Sequence, residues 1–278
     1  MTAQHPRAQL AQWGLRPKKR FGQNFLMDGK AAHRIARLCL SDSAPGVPVL
    51  EIGAGTGALT QALLEAGAEV TALEIDRDLI ALLRAREDIA NARVVEADAM
   101  EFDYGSFAAG RPWRVAGNLP YNIAPPLIMN LVEMAGGPES ITVMIQKDVA
   151  ARLAAQPGTP AYGSLSIAVQ YAMRVERAFT LGPNAFYPAP KVHSTVVQLV
   201  RRAEPAARTK DLALFQKVVR GAFAYRRKTL ANSLMLALGF DRARVVRALE
   251  ACDLAPEERG ERLSLADFAK LADELAEG

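Results

Sequence analysis

Short apolar runs bounded by turn residues alternate with helical patterns through the first two-thirds of this 278-residue chain. Such alternation is typical of βαβ units, in which helices cover both faces of a parallel sheet. The sequence therefore predicts an α/β fold. The candidate strands are Val47–Ile52, Glu69–Glu74, Ala92–Glu96, Trp113–Gly117, Ile141–Gln146 and Val192–Val200. The candidate helices between them are Ala58–Ala66, Arg77–Arg84, Pro126–Met134 and Gly163–Tyr171.

The chain changes character near its last candidate strand. That strand follows a proline-rich loop (Pro183, Pro188, Pro190) rather than a helix, so we expect residues 195–200 to join the sheet antiparallel. After Arg202 helical periodicity continues without strand signals, in Leu212–Phe223, Arg242–Ala251 and Ser264–Leu275. We therefore predict an α/β domain over 13–205 and an all-helical C-terminal domain over 206–278.

Composition limits the kinds of protein this chain can be. Half of its residues are hydrophobic, which is enough for a full core. No run of about 18 apolar residues occurs, and the N-terminal stretch has no apolar segment, so we expect neither a membrane span nor a secretory signal. Cys39 and Cys252 stand in no metal-ligand or redox spacing, so we predict no metal site and a cytoplasmic location.

Positive charge is concentrated in two separate regions. Residues 1–34 hold seven Lys or Arg against one acid, and residues 206–250 hold ten against three. If folding brings the two regions onto one face, they would bind a polyanion in a salt-dependent way. The alternative is that these are solvated basic helices, and charge alone leaves both interpretations open.

A glycine-rich loop follows the first candidate strand. It reads Glu51-Ile52-Gly53-Ala54-Gly55-Thr56-Gly57, and its glycines allow a tight turn and close approach of the backbone to a ligand. Glu74 ends the next strand, where a carboxylate suits ribose hydroxyls. Taken alone, the loop is compatible with NAD and with S-adenosylmethionine.

Two acids favour S-adenosylmethionine. Glu51 would repel a pyrophosphate but suits a sulfonium cofactor with a free amino group. Asp98 follows the third strand, where it can accept a hydrogen bond from an exocyclic adenine amine. Each acid by itself could be an ordinary loop or capping residue. Together with the glycine loop and Glu74, they favour the cofactor interpretation.

The most specific short motif follows the fourth strand and reads Asn118-Leu119-Pro120-Tyr121. It is similar to the signature of methyltransferases that act on amino nitrogens of planar ring systems. If the Asn118 side-chain oxygen and the Leu119 carbonyl both accept from an adenine amine, they free its lone pair. Pro120 would fix the turn, and Tyr121 would stack on the extruded base. The alternative is a strand-ending turn whose aromatic ring packs into the core.

A second aromatic pair lies on the proline-rich loop Phe186–Val192. We predict that Phe186 stacks on the other side of the base and that Lys191 is available to a phosphate.

Six motifs in this order resemble those of the small-subunit ribosomal RNA adenine N6,N6-dimethyltransferases. They are Lys18–Leu26, Glu51–Gly57, Leu73–Asp76, Asp98–Met100, Asn118–Tyr121 and Phe186–Val192. The resemblance implies a class I methyltransferase domain with a seven-stranded Rossmann-like sheet and a small helical C-terminal domain. It also implies dimethylation of two adjacent adenosines in the 3′-terminal hairpin of small-subunit rRNA during ribosome maturation. Residues 1–12 match none of these motifs, and we expect them to be disordered.

The resemblance also implies roles for individual residues. The cofactor S-adenosyl-L-methionine would be bound by Asn24, Leu26, Gly53, Glu74, Asp98 and Asn118, and the glycine loop adds Glu51 and Gly55 to this predicted set. RNA phosphates would be contacted by Lys18, Lys19, Arg20, Lys147, Arg152, Lys191, Arg226, Arg227 and Lys228. Each of these cations could also be plain surface charge. Family precedent implies a monomer that acts on a partly assembled small subunit.

Three other functions stay open at this point. A large-subunit rRNA adenine methyltransferase of the antibiotic-resistance type shares most of these motifs, but Lys210–Leu275 and Phe186–Val192 favour the small-subunit enzymes. An RNA-binding assembly factor is the second alternative. An NAD-dependent oxidoreductase is the third, and it is disfavoured by Glu51 and by the Asn118–Tyr121 turn.

Overall fold

Nine β-strands run through the residues that this computed structural model describes, which are 6–108, 110–225 and 227–277. They are β1 (Phe25–Leu26), β2 (Pro48–Ile52), β3 (Glu69–Glu74), β4 (Arg93–Glu96), β5 (Arg114–Asn118), β6 (Ser140–Gln146), β7 (Met173–Leu181), β8 (Phe186–Tyr187) and β9 (Ser194–Arg201). Seven of them form one sheet in the order β4-β3-β2-β5-β6-β9-β7, while β1 pairs with β8. The predicted seven-stranded sheet is confirmed.

Strand direction within the sheet also matches expectation. The pairs β2–β3, β2–β5, β3–β4 and β5–β6 are parallel, and β9 joins β6 antiparallel. Strand β7 was not among the predicted strands. This strand lies at the edge of the sheet and carries Arg174, Glu176 and Arg177, so it has no apolar run that would identify it.

The same described residues contain twelve α-helices. They are α1 (Pro6–Gln12), α2 (Gly29–Cys39), α3 (Ala58–Glu65), α4 (Arg77–Arg84), α5 (Tyr104–Ala108), α6 (Ala124–Glu133), α7 (Lys147–Leu153), α8 (Ser164–Ala172), α9 (Leu212–Ala224), α10 (Leu230–Leu238), α11 (Arg242–Ala251) and α12 (Leu265–Glu277). Side-chain caps start several of them; Asp76, for example, accepts from the backbone N–H of Asp78 at the start of α4.

The chain forms two compact units, and their boundary differs from the predicted one. The first unit holds the described residues up to Ala150 together with Val175–Arg201, and the second holds Ala151–Arg174 and the described residues from Arg202 onward. Residues 151–174 belong to the second unit because their apolar side chains pack into its core. The Tyr171 and Phe215 rings lie 4.7 Å apart, and the Tyr162 hydroxyl donates to the Leu263 carbonyl.

The N-terminal residues are more ordered than predicted. Residues 6–12, which were expected to be disordered, form α1, and residues 1–5 lie outside the described residues. The helix is held by Leu10, which is buried against Phe25 and Leu79. An apolar contact made with residues far along the chain gives no local signal, which explains the wrong prediction.

The register of the sheet brings the ends of four strands together. Ile52 pairs with Leu73 and Gly117, and Glu74 pairs with Glu96. The carboxyl ends of β2, β3, β4 and β5 therefore lie along one edge, and the loops that follow them meet there. This edge is where ligands bind in open parallel sheets.

A membrane-spanning helix would need to be long and apolar throughout. Among the described helices, none has that combination of length and hydropathy.

Candidate active site

A cavity of about 320 Å³ lies at the carboxyl edge of the sheet in the first unit. This volume suits a small-molecule ligand. Its walls are formed by Arg20–Leu26, Glu51–Thr56, Leu73–Ile75, Ala97–Ala99 and Asn118–Ile123, with Ile35, Ala58 and Leu59. Five separate stretches of chain thus converge on one space, and four of them follow or end sheet strands.

The glycine loop forms the floor of the cavity. Gly53 and Gly55 both have positive φ angles, +74° and +60°, which glycine adopts without strain. A Cβ atom on Gly55 would lie 3.1 Å from the Phe25 ring, so a side chain there would crowd the cavity wall. Arg86 supports the loop from behind by donating to the Thr56 carbonyl.

Glu74 is fixed in the cavity wall by three backbone N–H groups. Its Oε2 accepts from Gly55, and its Oε1 accepts from Ile75 and Asp76, at 2.9 to 3.0 Å. The side chain is 7% exposed. Burial raises the pKa of Glu74, while the three N–H donors oppose that rise. The carboxylate is therefore held rigidly with its oxygens beside the glycine loop.

Glu51 is a second buried carboxyl in the same wall. It is 1% exposed, and its Oε2 accepts from the Thr60 hydroxyl at 2.5 Å. Burial raises the pKa of Glu51 to about 8, with a smaller contribution from the charge of Glu74. A cationic ligand in the cavity would favour ionisation of this group.

We expect Glu51 to make the ligand-free protein less stable as pH rises. In the unfolded chain this carboxyl ionises near 4.5, while in the fold it keeps its proton to about 8. The folded state therefore binds more protons between those values, and stability is lost as pH rises through that window. Relative to wild type, Glu51→Gln should gain stability between pH 5 and pH 8, on the order of a few kcal/mol. Urea unfolding across this range measures it, and a difference independent of pH would contradict the expectation.

Asn118 ends β5 beside the cavity. Its side-chain Nδ2 donates to the Asn24 backbone carbonyl at 2.7 Å. The next residue, Leu119, donates its N–H to the Met144 carbonyl, and the Tyr121 hydroxyl lies 2.9 Å from the Ser194 hydroxyl. The Asn118–Tyr121 turn is thus held from three directions, by the N-terminal segment, by β6 and by β9.

The structure brings the predicted cofactor residues together. All eight line the cavity: Asn24, Leu26, Glu51, Gly53, Gly55, Glu74, Asp98 and Asn118. Asp98 is exposed at the rim and accepts from the Met100 backbone N–H. Of the predicted catalytic residues, Asn118, Leu119, Pro120 and Tyr121 also line the cavity.

Phe186 lies elsewhere. Its backbone pairs with Leu26, which does line the cavity, but its own ring is 2% exposed and belongs to the core that contains Ile35 and Leu59. The ring is therefore close to the site without facing into it. A base could stack on Phe186 only after the ring becomes exposed, and that role stays a prediction.

The predicted RNA-binding cations fall into three groups. Lys18 already has partners within the chain, because its Nζ binds Asp76 and Asp78 at 2.5 and 2.6 Å. Its role as a phosphate contact stays a prediction. The other described cations are exposed: Lys19, Arg20, Lys147 and Lys191 in the first unit, and Arg152, Arg227 and Lys228 in the second. Arg226 lies outside the described residues.

Sequence reasoning missed several residues that shape the site. Asp76 accepts from Lys18 and Gln23, and Ile75 lines the cavity. Asp76 stands at the end of the motif Leu73–Asp76, so its position in the sequence was a usable signal. Its partners lie more than fifty residues away in sequence, and no local pattern points to them.

The cavity therefore offers a glycine cradle, two buried carboxylates, an exposed acid at the rim and an amide at the end of β5. A family model described as ribosomal RNA adenine dimethylase matches residues 14–277. This chain belongs to the ribosomal RNA adenine dimethylase family. The predicted class I fold and the predicted S-adenosyl-L-methionine-dependent enzyme class are confirmed with it.

Individual members of the family are similar over most of the chain. A protein of Hahella chejuensis (strain KCTC 2396) named ribosomal RNA small subunit methyltransferase A is 46% identical over 262 residues, which is 94% of this chain and 93% of that protein. The crystal structure of a dimethyladenosine transferase from Plasmodium falciparum matches with a TM-score of 0.74 at 26% identity, over 89% of this chain and 95% of that one. The crystal structure of the 23S rRNA methyltransferase ErmE matches with a TM-score of 0.67 at 28% identity, over 91% and 100%.

The residues around the cavity fit the family's cofactor. Glu51 and Glu74 are buried carboxyl groups whose pKa values are raised, and a sulfonium with an ammonium group beside them would favour their ionised forms. Gly55 borders the cavity without a side chain, and a Cβ atom there would lie 3.1 Å from the Phe25 ring, so glycine keeps this part of the cavity open for a nucleoside.

Proposed function

We propose that this chain transfers methyl groups from S-adenosyl-L-methionine to N6 of two adjacent adenosines in the 3′-terminal hairpin of small-subunit rRNA. The product would be N6,N6-dimethyladenosine, formed during ribosome maturation. One observation carries the proposal: Asn118 and Tyr121 line the same cavity as Glu74 and Asp98. A base held by the first pair therefore lies beside a cofactor held by the second. The similarity to the Hahella chejuensis small subunit methyltransferase A supports the choice of substrate.

The cofactor supplies a methyl group on a sulfonium centre. In our proposal Glu74 accepts from its ribose hydroxyls, and Asp98 accepts from its adenine amine. Glu51 offsets its positive charge from within the wall. The remaining contacts come from the backbone of Gly53 and Gly55 and from Asn24, Leu26 and Asn118, all of which border the cavity.

Asn118 activates the target base. Its Nδ2 is engaged by the Asn24 carbonyl, so its Oδ1 is the end of the carboxamide available to an incoming amine. In the first transfer, acceptance of both amine hydrogens, by Asn118 Oδ1 and the Leu119 carbonyl, moves the nitrogen toward tetrahedral geometry and frees its lone pair. The nitrogen takes the methyl group and releases one of its own hydrogens to water as a proton. Tyr121 stacks on the base, and Phe186 joins it once its ring is exposed. Pro120 keeps the turn in place.

We also propose that the substrate is a partly assembled small subunit. The enzyme would act on it in the cytoplasm, as a monomer. A single stem-loop has little surface by which a protein could recognise it specifically, whereas an assembly intermediate provides further recognition surface. Exposed cations in both units, among them Lys19, Arg20, Lys191 and Arg227, suit contacts with rRNA phosphates.

The test is transfer of labelled methyl groups to small subunits that lack the modification, followed by nuclease digestion. We expect N6,N6-dimethyladenosine from the 3′-terminal region, with up to four methyl groups per subunit, because each of two adenosines takes two. Label found only on large-subunit rRNA would overturn the substrate and favour the chemistry of ErmE, to which the chain is similar. Cofactor binding without any label would favour the RNA-binding assembly factor.

We expect neutralisation of Arg226, Arg227 and Lys228 to flatten the salt dependence of RNA binding. Each lost phosphate contact removes about one unit from the slope of log K against log salt. The matched control neutralises Arg242 and Arg247, two exposed arginines on α11 of the same unit. Filter binding at several salt concentrations gives both slopes. Equal slopes for the triple variant and wild type would remove this segment from the RNA interface.

A further inference from the structure

An N-terminal segment lines the cavity and is attached at both of its ends. We call residues 18–26 the strap; its stretch Arg20–Leu26 lines the cavity. One end is bound to the start of α4, and the other end pairs with β8 through Phe25 and Leu26. The strap therefore borders the cavity between its attachments at α4 and β8.

The first attachment centres on Asp76, which is 3% exposed. Gln23 Nε2 donates to Asp76 Oδ2 at 2.8 Å, and Lys18 Nζ donates to Asp76 Oδ1. Gln23 also accepts, at Oε1, from the Lys18 backbone N–H at 2.7 Å, so both ends of its carboxamide are used. Although burial acts in the opposite direction, the bonds from Lys18 and Gln23 hold the pKa of Asp76 below its usual value.

This attachment is continuous with the proposed ribose-binding acid. The Asp76 backbone N–H donates to Glu74 Oε1 at 3.0 Å. The Asp76 side chain also caps α4, because Oδ1 accepts from the Asp78 backbone N–H. Asp76 is thus held in place by bonds to Glu74 of β3 and Asp78 of α4, without help from the strap. The position of the strap, in turn, depends on Asp76.

The second attachment reaches the Asn118 carboxamide. Asn24, which follows Gln23 directly, offers the backbone carbonyl that accepts from Asn118 Nδ2 at 2.7 Å. The two ends of a carboxamide have nearly the same shape, and the hydrogen-bond partners decide which end faces a ligand. If the group turned over, its NH2 would face the target amine, donor against donor. A carbonyl fixed at Asn24 selects the orientation in which Oδ1 is free to accept.

We propose that Gln23 is a positioning residue for methyl transfer: bound to Asp76, it holds the strap so that the Asn24 carbonyl orients the Asn118 carboxamide. The inference rests on the proposed role of Asn118. It adds a residue whose carboxamide is bound at both ends within the chain, to Asp76 and to the Lys18 backbone N–H.

The sharpest test exchanges donor and acceptor in the hydrogen bond between the Gln23 and Asp76 side chains. Gln23→Glu keeps the size of the side chain and the acceptor for Lys18, but it places a carboxylate against Asp76. Adding Asp76→Asn then restores a donor toward the introduced carboxylate, while keeping a side chain that caps helices as well as aspartate does. Gln23→Met removes the bond without adding charge, and it serves as a second variant if Gln23→Glu folds poorly.

We expect Gln23→Glu to lower kcat, measured at saturating S-adenosyl-L-methionine and unmodified small subunits, by at least about tenfold, the effect of one hydrogen bond to a charged group. Gln23→Met should lower it in the same direction. The double variant Gln23→Glu with Asp76→Asn should recover most of that loss. Gln12→Glu, at an exposed glutamine of α1 outside the strap, is the charge-matched control.

Two results would overturn the inference. One is a kcat unchanged in both Gln23 variants, with only the KM for the cofactor raised, because the strap would then affect affinity alone. The other is a double variant whose loss of kcat equals the product of the losses in Gln23→Glu alone and Asp76→Asn alone. If Asn118→Ala is inactive while kcat is unchanged in the Gln23 variants, the proposed function stands and this inference fails. A wild-type rate in Asn118→Ala would overturn both.

Discussion

Replacement of Asn118 by alanine is expected to lower the rate of methyl transfer by at least about a hundredfold, the usual effect of removing one positioned polar group from a reacting centre. Without Oδ1, the target amine keeps its lone pair delocalised in the ring. RNA binding should be unchanged, because the exposed cations are untouched. Single-turnover transfer of labelled methyl groups at saturating cofactor measures the rate, and filter binding measures RNA affinity.

The control for this variant is Asn130→Ala, at an exposed asparagine of α6. It removes the same atoms from the same unit without touching the cavity, so its rate should equal that of wild type. Near wild-type transfer by Asn118→Ala would refute activation of the base by this residue. A rate loss explained entirely by weaker RNA binding would do so as well.

Replacement of Glu74 by glutamine is expected to weaken binding of S-adenosyl-L-methionine by about 10- to 100-fold. The two carboxylate oxygens of Glu74 accept from three backbone N–H groups. A glutamine places an NH2 group against at least one of these donors and also loses the charge that strengthens a bond to a ribose hydroxyl. Isothermal titration with the cofactor and with S-adenosylhomocysteine measures the change.

The chain offers a closely matched control at Glu96, the residue paired with Glu74 in the neighbouring strand β4. Glu96 is exposed and binds Arg77 at the surface, an ion pair that contributes little to stability. Glu96→Gln should therefore bind the cofactor as wild type does. Equal affinity of Glu74→Gln and Glu96→Gln would exclude Glu74 from the cofactor site.

The sequence predicted the cavity well because its residues stand in short segments at the ends of strands. Glycine loops, strand-ending acids and the Asn118–Tyr121 turn each have a local pattern, and parallel strands bring their carboxyl ends to one edge by topology. The antiparallel entry of β9 was predictable for a similar reason, since its proline-rich approach leaves no helical crossover. Local pattern and topology together were sufficient for these features.

The features that the sequence did not predict depend on partners far along the chain. Lys18 looked like a free cation, and its two carboxylate partners appear only when α4 is in place. Strand β7 has no apolar run because it lies at an edge. The placement of Phe186 depends on pairing of β8 with β1, two residues each, which no periodicity can indicate. In each case a tertiary contact decides the outcome.

The second unit consists of two separate stretches of chain, and this limits where the protein can be cut into fragments that fold. That unit is assembled from two stretches of chain, residues 151–174 and the stretch from Arg202 onward, with β8, β9 and most of β7 encoded between them. A fragment beginning at residue 206 lacks Tyr162, Ile167 and Tyr171, which share its core with Phe215. Such a fragment should be poorly soluble, and its counterpart ending at 205 should expose the same three apolar side chains. Autonomous folding of the helical unit therefore requires residues 151–174 to be supplied with it, for example in a circularly permuted chain.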